Sequence, residues 1–175
     1  MLRCWDTRYW ILKINKVPNT QYSLLNTNNS RMNKPVRIGV LAILVNESGK
    51  ILIGSSPRDG GYKFPQGGLE PNEDIVTGVK RELKEELGIS ITEDDIVCVC
   101  GQKVSYRYPA DDPYYIFKAQ ELSVVKIKYN TSMKLVPQDD EFDKLYWISP
   151  TDLHYYNTNF RAKAYQKALQ LSGML

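Results

Sequence analysis

The sequence predicts an α/β fold in which a mixed β-sheet lies between helices. Three observations carry that expectation: β-rich apolar runs spread along the chain, an amphipathic helix at 74–87 set among them, and a second helix at 160–171 that closes the chain. A length of 175 residues suits one domain. Hydrophobic residues make up 42% and charged residues 25%, enough of the first to build a core. No stretch reaches the roughly 20 apolar residues of a spanning helix, so no membrane partner is expected.

Residues 1–35 read differently from the rest. They hold six of the eleven asparagines, and Pro18 and Pro35 interrupt any long helix. Six cations against Asp6 alone give this segment +5, which leaves −2 for the remainder of a chain whose total is +3. The bulk of the protein is therefore not a basic nucleic-acid module. The expectation is a poorly structured N-terminal extension over 1–35 and one folded domain over 36–175. The extension reads as a tail, with Met32 as an alternative start, or as a mitochondrial targeting segment, which Trp5, Asp6 and Trp10 fit poorly. Three cysteines, Cys4, Cys98 and Cys100, form no paired framework and no zinc spacing, and a cytoplasmic location is expected.

From Val36 the elements follow in order. Val36–Val45 is a β-rich run, and Asn46-Glu47-Ser48-Gly49 turns it into a second strand at Lys50–Gly54. Ser55–Gly61 reads as a polar loop. Asp74 caps a helix whose Val76, Val79, Leu83 and Leu87 share one face, and Gly88 stops it. Ile96–Cys100, Tyr114–Ala119, Val124–Lys128 and Leu145–Ile148 read as strands. Asn159 is the expected cap of the last helix, with Phe160, Ala164, Ala168 and Leu171 facing inward. Cys98 and Cys100 alternate on one strand face and are expected to be buried structural thiols; His154, the single histidine, is expected to pack or lie at the surface.

The densest chemistry lies in Phe64-Pro65-Gln66-Gly67-Gly68-Leu69-Glu70-Pro71-Asn72-Glu73, followed by Arg81-Glu82-Leu83-Lys84-Glu85-Glu86-Leu87-Gly88-Ile89. Helical spacing puts Glu82, Glu85 and Glu86 on one side. Like charges at i and i+4 destabilise a helix by about 0.2–0.5 kcal/mol per pair, so something should compensate them. A hard divalent cation with oxygen ligands would do so. A solvated charged helix face is the competing reading of these glutamates alone.

The full spacing, Gly67, five residues, Glu73, seven residues and then Arg-Glu-Leu-Lys-Glu-Glu-Leu-Gly-Ile, resembles the Nudix box at every constrained position. That resemblance implies a Nudix α/β/α sandwich with the box as a loop–helix–loop, and Mg2+- or Mn2+-dependent hydrolysis of a nucleoside diphosphate linked to another group. It also implies that Glu82, Glu85 and Glu86 hold metal, joined by a backbone carbonyl around Gln66 and Gly67. Arg81 and Glu73 would brace loop and helix.

Phe64-Pro65-Gln66-Gly67-Gly68 further resembles the subfamily of RNA pyrophosphohydrolases and dinucleoside polyphosphate hydrolases. Val36–Val40, Tyr106-Arg107-Tyr108-Pro109, Glu141-Phe142-Asp143 and Phe160–Tyr165 are similar to segments of the same subfamily. The implied catalytic residues are Glu82, Glu86 and Glu141, with Glu141 a ligand or general base outside the box. The metal set is then Glu82, Glu85, Glu86, Glu141 and Gly67. Arg37, Lys63, Gln66, Tyr106 and Arg107 are candidate substrate contacts: cations for phosphate oxygens, an aromatic for base stacking. The partner is a nucleotide, either a dinucleoside polyphosphate or an RNA 5′ end. Where many bacterial RNA pyrophosphohydrolases carry a basic run, this chain has Ala110-Asp111-Asp112, which repels an RNA backbone and restricts RNA binding to the 5′ end. The alternatives are a Nudix enzyme for another derivative such as ADP-ribose, or a non-catalytic nucleotide-binding Nudix module.

Overall fold

In a computed structural model, the described residues are 34–110, 112–138 and 141–175. The extension expected at 1–35, the Met32 start and Cys4 lie outside them, apart from Lys34 and Pro35. Seven strands form one mixed sheet: β1 (Val36–Val45), β2 (Ile51–Ser56), β3 (Gly61–Lys63), β4 (Gln66–Gly68), β5 (Ile96–Arg107), β6 (Ala119–Lys128) and β7 (Lys144–Ile148). The order β3-β2-β1-β6-β5 places β1 at the centre, with β4 paired to β1 and β7 to β2. Only β1–β6 is parallel.

Alternation along β1 explains the layers. Val40, Ala42 and Leu44 pack with Val79, Leu83 and Leu87 of helix α1 (Ile75–Leu87) on one face. Leu41 and Ile43 face the other way, onto Ala164, Tyr165, Ala168 and Leu169 of helix α2 (Ala162–Leu171). All these side chains are buried. The result is the expected α/β/α sandwich.

The β1–β2 turn forms as its residues predict. The Asn46 Oδ1 accepts from the N–H groups of Ser48 and Lys50, both at 3.0 Å, and Gly49 takes φ of 70°. Asp74 caps α1 by accepting from Val76 and Thr77 N–H, and Gly88, at φ of 68°, ends it. The last carbonyls of α1 are not left bare: Val136 N–H donates to Leu87 O and Gln138 N–H to Glu86 O, both at 2.9 Å.

Four expectations need correction. Tyr114–Ala119 is not a strand; its aromatics fill a turn region, and the strand begins at Ala119 and includes the run expected at Val124–Lys128. The Ile96–Cys100 strand continues to Arg107 through register shifts after Ile96 and Val99 that break the alternation. The supposed polar loop 55–61 contains the end of β2 and the start of β3. Asn159 does not cap α2 but sits at φ of 53° in a preceding 3-10 turn, its Nδ2 donating to Asp59 O at 2.9 Å. On α2, Ala164 and Ala168 face inward as expected; Tyr165 and Leu169 join them, while Phe160 and Leu171 are half-buried. Cys98 and Cys100 are half-buried free thiols, and His154 is exposed.

Candidate active site

The site forms where α1 crosses β4. A Cβ on Gly67 would lie 2.0 Å from the Glu82 Cδ and 2.1 Å from each carboxylate oxygen, so only glycine admits that carboxylate. Glu82 is 8% exposed and Glu86 3%. The N–H of Gln66 donates to Glu86 Oε2 at 3.0 Å, tying β4 to the helix. Burial raises the Glu82 carboxyl above its ordinary value, against the pull of Arg81 and Arg37. Burial also pushes Glu86 up to about 8, opposed by Lys63 and the Gln66 N–H and reinforced by the charges of Glu141 and Glu82.

Arg81 braces the loop. It forks onto both oxygens of Glu73 at 2.8 Å and donates to Gly68 O at 2.8 Å and to Glu82 Oε1 at 2.9 Å. Its fork holds the Glu73 carboxyl below the usual range. Glu85, half exposed, meets the same Arg81 Nη1 that binds Glu82, at 3.2 Å.

Glu141 reaches the site because its neighbours are anchored. Phe142 is buried on Gly54 of β2, where a Cβ would fall 2.1 Å from the ring, and the Asp143 carboxylate accepts from the Ser55 hydroxyl. Glu141 faces Arg58, with contacts at 2.9 and 3.0 Å, and Lys63 at 2.5 Å. Arg58, Asp59, Glu141 and Lys63 all act electrostatically on Tyr114. Tyr114 meets Tyr115 edge-on, Tyr115 stacks on Tyr108 at 4.4 Å, and Phe160 packs against both Tyr108 and Tyr115. An aromatic wall thus adjoins the carboxylates.

The sequence-derived substrate contacts divide. Arg37 lies over Gly68, where a Cβ would fall 2.4 Å from its Nε, and is close enough to act on Glu82. Lys63 is in the site but faces carboxylates. Gln66 gives its side chain to the opposite layer, donating to the Tyr106 hydroxyl and accepting from Tyr165 at 2.7 Å. Tyr106 is corrected: its ring is 6% exposed and edge-packed on Tyr108 and Phe160, so no face is open to a base. Arg107, exposed at the end of β5, alternates away from Tyr106 and meets none of these groups.

Gly67 is corrected as a carbonyl donor. Its oxygen lies against β1, 2.0 Å from where a Gly39 Cβ would be and 3.5 Å from Gln120 Nε2. The N–H of Gln66 points away from β1, and strand geometry turns its carbonyl the same way, toward α1. Sequence reasoning missed Arg58, Asp59 and Arg161. Arg161 is 3% exposed and pairs with Asp59 at 2.8 Å, beneath Tyr106 and Phe160.

The donors are all oxygens, the chemistry of Mg2+ or Mn2+, and two of them, Glu82 and Glu86, are buried carboxylates side by side on α1. The residues therefore fit a divalent cation, although among the described residues no three acidic, histidine or cysteine side chains converge into a ready cage.

The α/β/α sandwich thus carries paired buried glutamates on α1, with Gly67 of β4 making room for one of them. The NUDIX domain model matches residues 35–168, and the chain belongs to the Nudix family. It is a Nudix hydrolase, and enzymes of this family generally use divalent metals. The chain is 33% identical over 113 residues to an RNA pyrophosphohydrolase of a Nitratiruptor species, covering 62% of this chain and 72% of that one. Its fold is shared with the MutT protein of Methanosarcina mazei Go1 (TM-score 0.60, 23% identity, 79% and 96% covered). It is shared too with the E. coli dihydroneopterin triphosphate pyrophosphohydrolase (TM-score 0.62, 14% identity, 80% and 99% covered). Among the described residues no helix is long and apolar enough to cross a membrane.

Proposed function

We propose that the chain removes pyrophosphate from 5′-triphosphorylated RNA ends and cleaves dinucleoside polyphosphates, with Mg2+ or Mn2+ held by Glu82, Glu86 and the Gln66 carbonyl. The observation that carries this reading is the buried Glu82–Glu86 pair facing β4 beside an aromatic wall, a combination suited to a phosphate chain ending in a base. The similarity to a relative named RNA pyrophosphohydrolase supports the RNA arm. Residues 36–175 form the catalytic domain in this reading, and Glu85 is the outermost carboxylate of the set.

A divalent cation held by these residues would neutralise phosphate oxygens and acidify a water. The chain supplies the remainder. Glu82 or Glu86 accepts the proton of the attacking water, poised by its position, because a cation held beside these carboxylates would offset the burial that raises both. Glu141, met by two cations, orients rather than accepts. Arg37 and Arg58 stand at the rim for phosphate oxygens, and Tyr114 and Tyr115 offer their faces to a base.

The test is product analysis with Mg2+ on diadenosine tetraphosphate, ADP-ribose and a short 5′-triphosphate RNA. Pyrophosphate from the RNA and ATP plus AMP from the dinucleotide are expected, and both should vanish in folded Glu86→Gln. Preference for ADP-ribose, or full activity in Glu86→Gln, would overturn the reading.

A further inference from the structure

One cation already sits among the site carboxylates. Lys63 is 3% exposed, and its ammonium lies 2.5 Å from Glu141 Oε2 and 3.9 Å from Glu86 Oε1. An ammonium so far from water needs partners, and these two carboxylates, one from α1 and one from the segment before β7, supply them, with the Phe142 ring at 5.1 Å. The backbone of Lys63 is fixed by pairing with Gly54 in the sheet, next to fully buried Phe64.

Both carboxylates have a further partner. Glu86 Oε2 takes the Gln66 N–H, and Glu141 takes the Arg58 guanidinium on both oxygens, sharing Oε2 between Arg58 and Lys63. The ammonium of Lys63 thus stands where one oxygen of Glu86 and one of Glu141 converge, the place a cation shared by the two residues would take. Charge points the same way. Glu86 and Glu141 have the cations Lys63 and Arg58 beside them, whereas Glu73, Glu82 and Glu85 share the guanidinium of Arg81. Even with Arg37 nearby, the Glu82 side stays negative.

We propose that Lys63 takes the place of one divalent cation, the ion that would otherwise bridge Glu86 and Glu141, so that the ions this enzyme binds gather on the Glu82 side. The inference rests on the metal-dependent reading above. It makes Lys63 a positioning residue: it holds Glu141 against Glu86 and fixes the number of ions the site accepts. Removing its charge takes away the cation that the two carboxylates share, which opens an additional ion site.

The experiment counts Mn2+ bound per chain by electron paramagnetic resonance titration of the full-length protein, its Lys63→Met and Lys63→Gln variants, and Lys63→Arg. Circular dichroism melts establish that each is folded. Lys63→Met and Lys63→Gln are expected to bind one Mn2+ more than the parent, and Lys63→Arg the same number. Equal counts in all four would overturn the proposal while leaving metal dependence intact; a parent that binds no Mn2+ would remove both. A second measurement needs no variant. The 15N-lysine ammonium signal of Lys63 should persist, slow to exchange, at saturating Mg2+. Its shift to a free-lysine position would show that the ion displaces Lys63 and would overturn the proposal.

Discussion

Alanine at position 67 tests whether the Glu82 carboxylate works from the place the structure gives it. The new Cβ would stand 2.0 Å from the Glu82 Cδ, whereas nonbonded carbons settle about 3.5–4.0 Å apart. The carboxylate must therefore retreat by about 1.5 Å, or β4 must move away from α1 by the same amount. Arg81 resists the first, since it already binds Glu82, Glu73 and Gly68 O. Pairing of Gly67 with Val40 resists the second. Overpacking of this kind costs about 1–3 kcal/mol of stability. A misplacement of about 1 Å at a reacting group costs about 10²-fold in rate, so kcat of Gly67→Ala should fall by about 10²-fold or more. The assay is steady-state turnover of diadenosine tetraphosphate with Mg2+, beside a thermal melt. Gly101→Ala is the control, because a Cβ there meets nothing within 4 Å. A folded Gly67→Ala enzyme turning over within threefold of the parent would refute the placement of Glu82.

Further outcomes follow from the same geometry. Without divalent cations, native Glu86 holds its proton up to about 8 while the unfolded carboxyl loses it near 4.5, so the native state binds more protons between these values. Stability should therefore fall as pH rises from about 5 to 8, by at most about 5 kcal/mol; denaturant melts should show the slope flattened in Glu86→Gln and by saturating Mg2+. Asp59→Asn strands Arg161 beneath Tyr106 and Phe160 and should cost about 3–5 kcal/mol in urea unfolding; a loss under about 1 kcal/mol would mean the pair is wetter than its burial implies. Phe142→Ala empties the seat on Gly54 and should cost about 3–5 kcal/mol while lowering kcat more than it raises KM, because Glu141 loses its anchor. An unchanged kcat in that variant would remove Glu141 from the machinery.

What the sequence made legible was local. Asp74, the Val79–Leu83–Leu87 stripe and Gly88 bound α1 without help from the rest of the chain, and helical spacing alone grouped its glutamates. β4 escaped notice because Gln66-Gly67-Gly68 carries no apolar alternation; it is a strand because Gly39 and Gly67 let two backbones approach. β5 was cut short by the bulges that interrupt its alternation. Tyr114–Ala119 looked like a strand because aromatics favour strands, yet its rings serve a surface wall. Arg58, Asp59 and Arg161 were invisible for a different reason. Arg58 meets a partner 83 residues away and Arg161 one 102 residues away, and a charge in a polar loop looks solvated until the fold brings its counterpart.

Gln66 belongs to both halves of the sandwich at once. Its main chain grips Glu86 on the side of α1, and its side chain is pinned between Tyr106 and Tyr165 on the side of α2. The sheet between the layers is thus pierced by one residue acting as a rivet. The two helices cannot drift independently across their common sheet, and a change at Tyr165, a full layer away from the carboxylates, is felt at Glu86 through two hydrogen bonds.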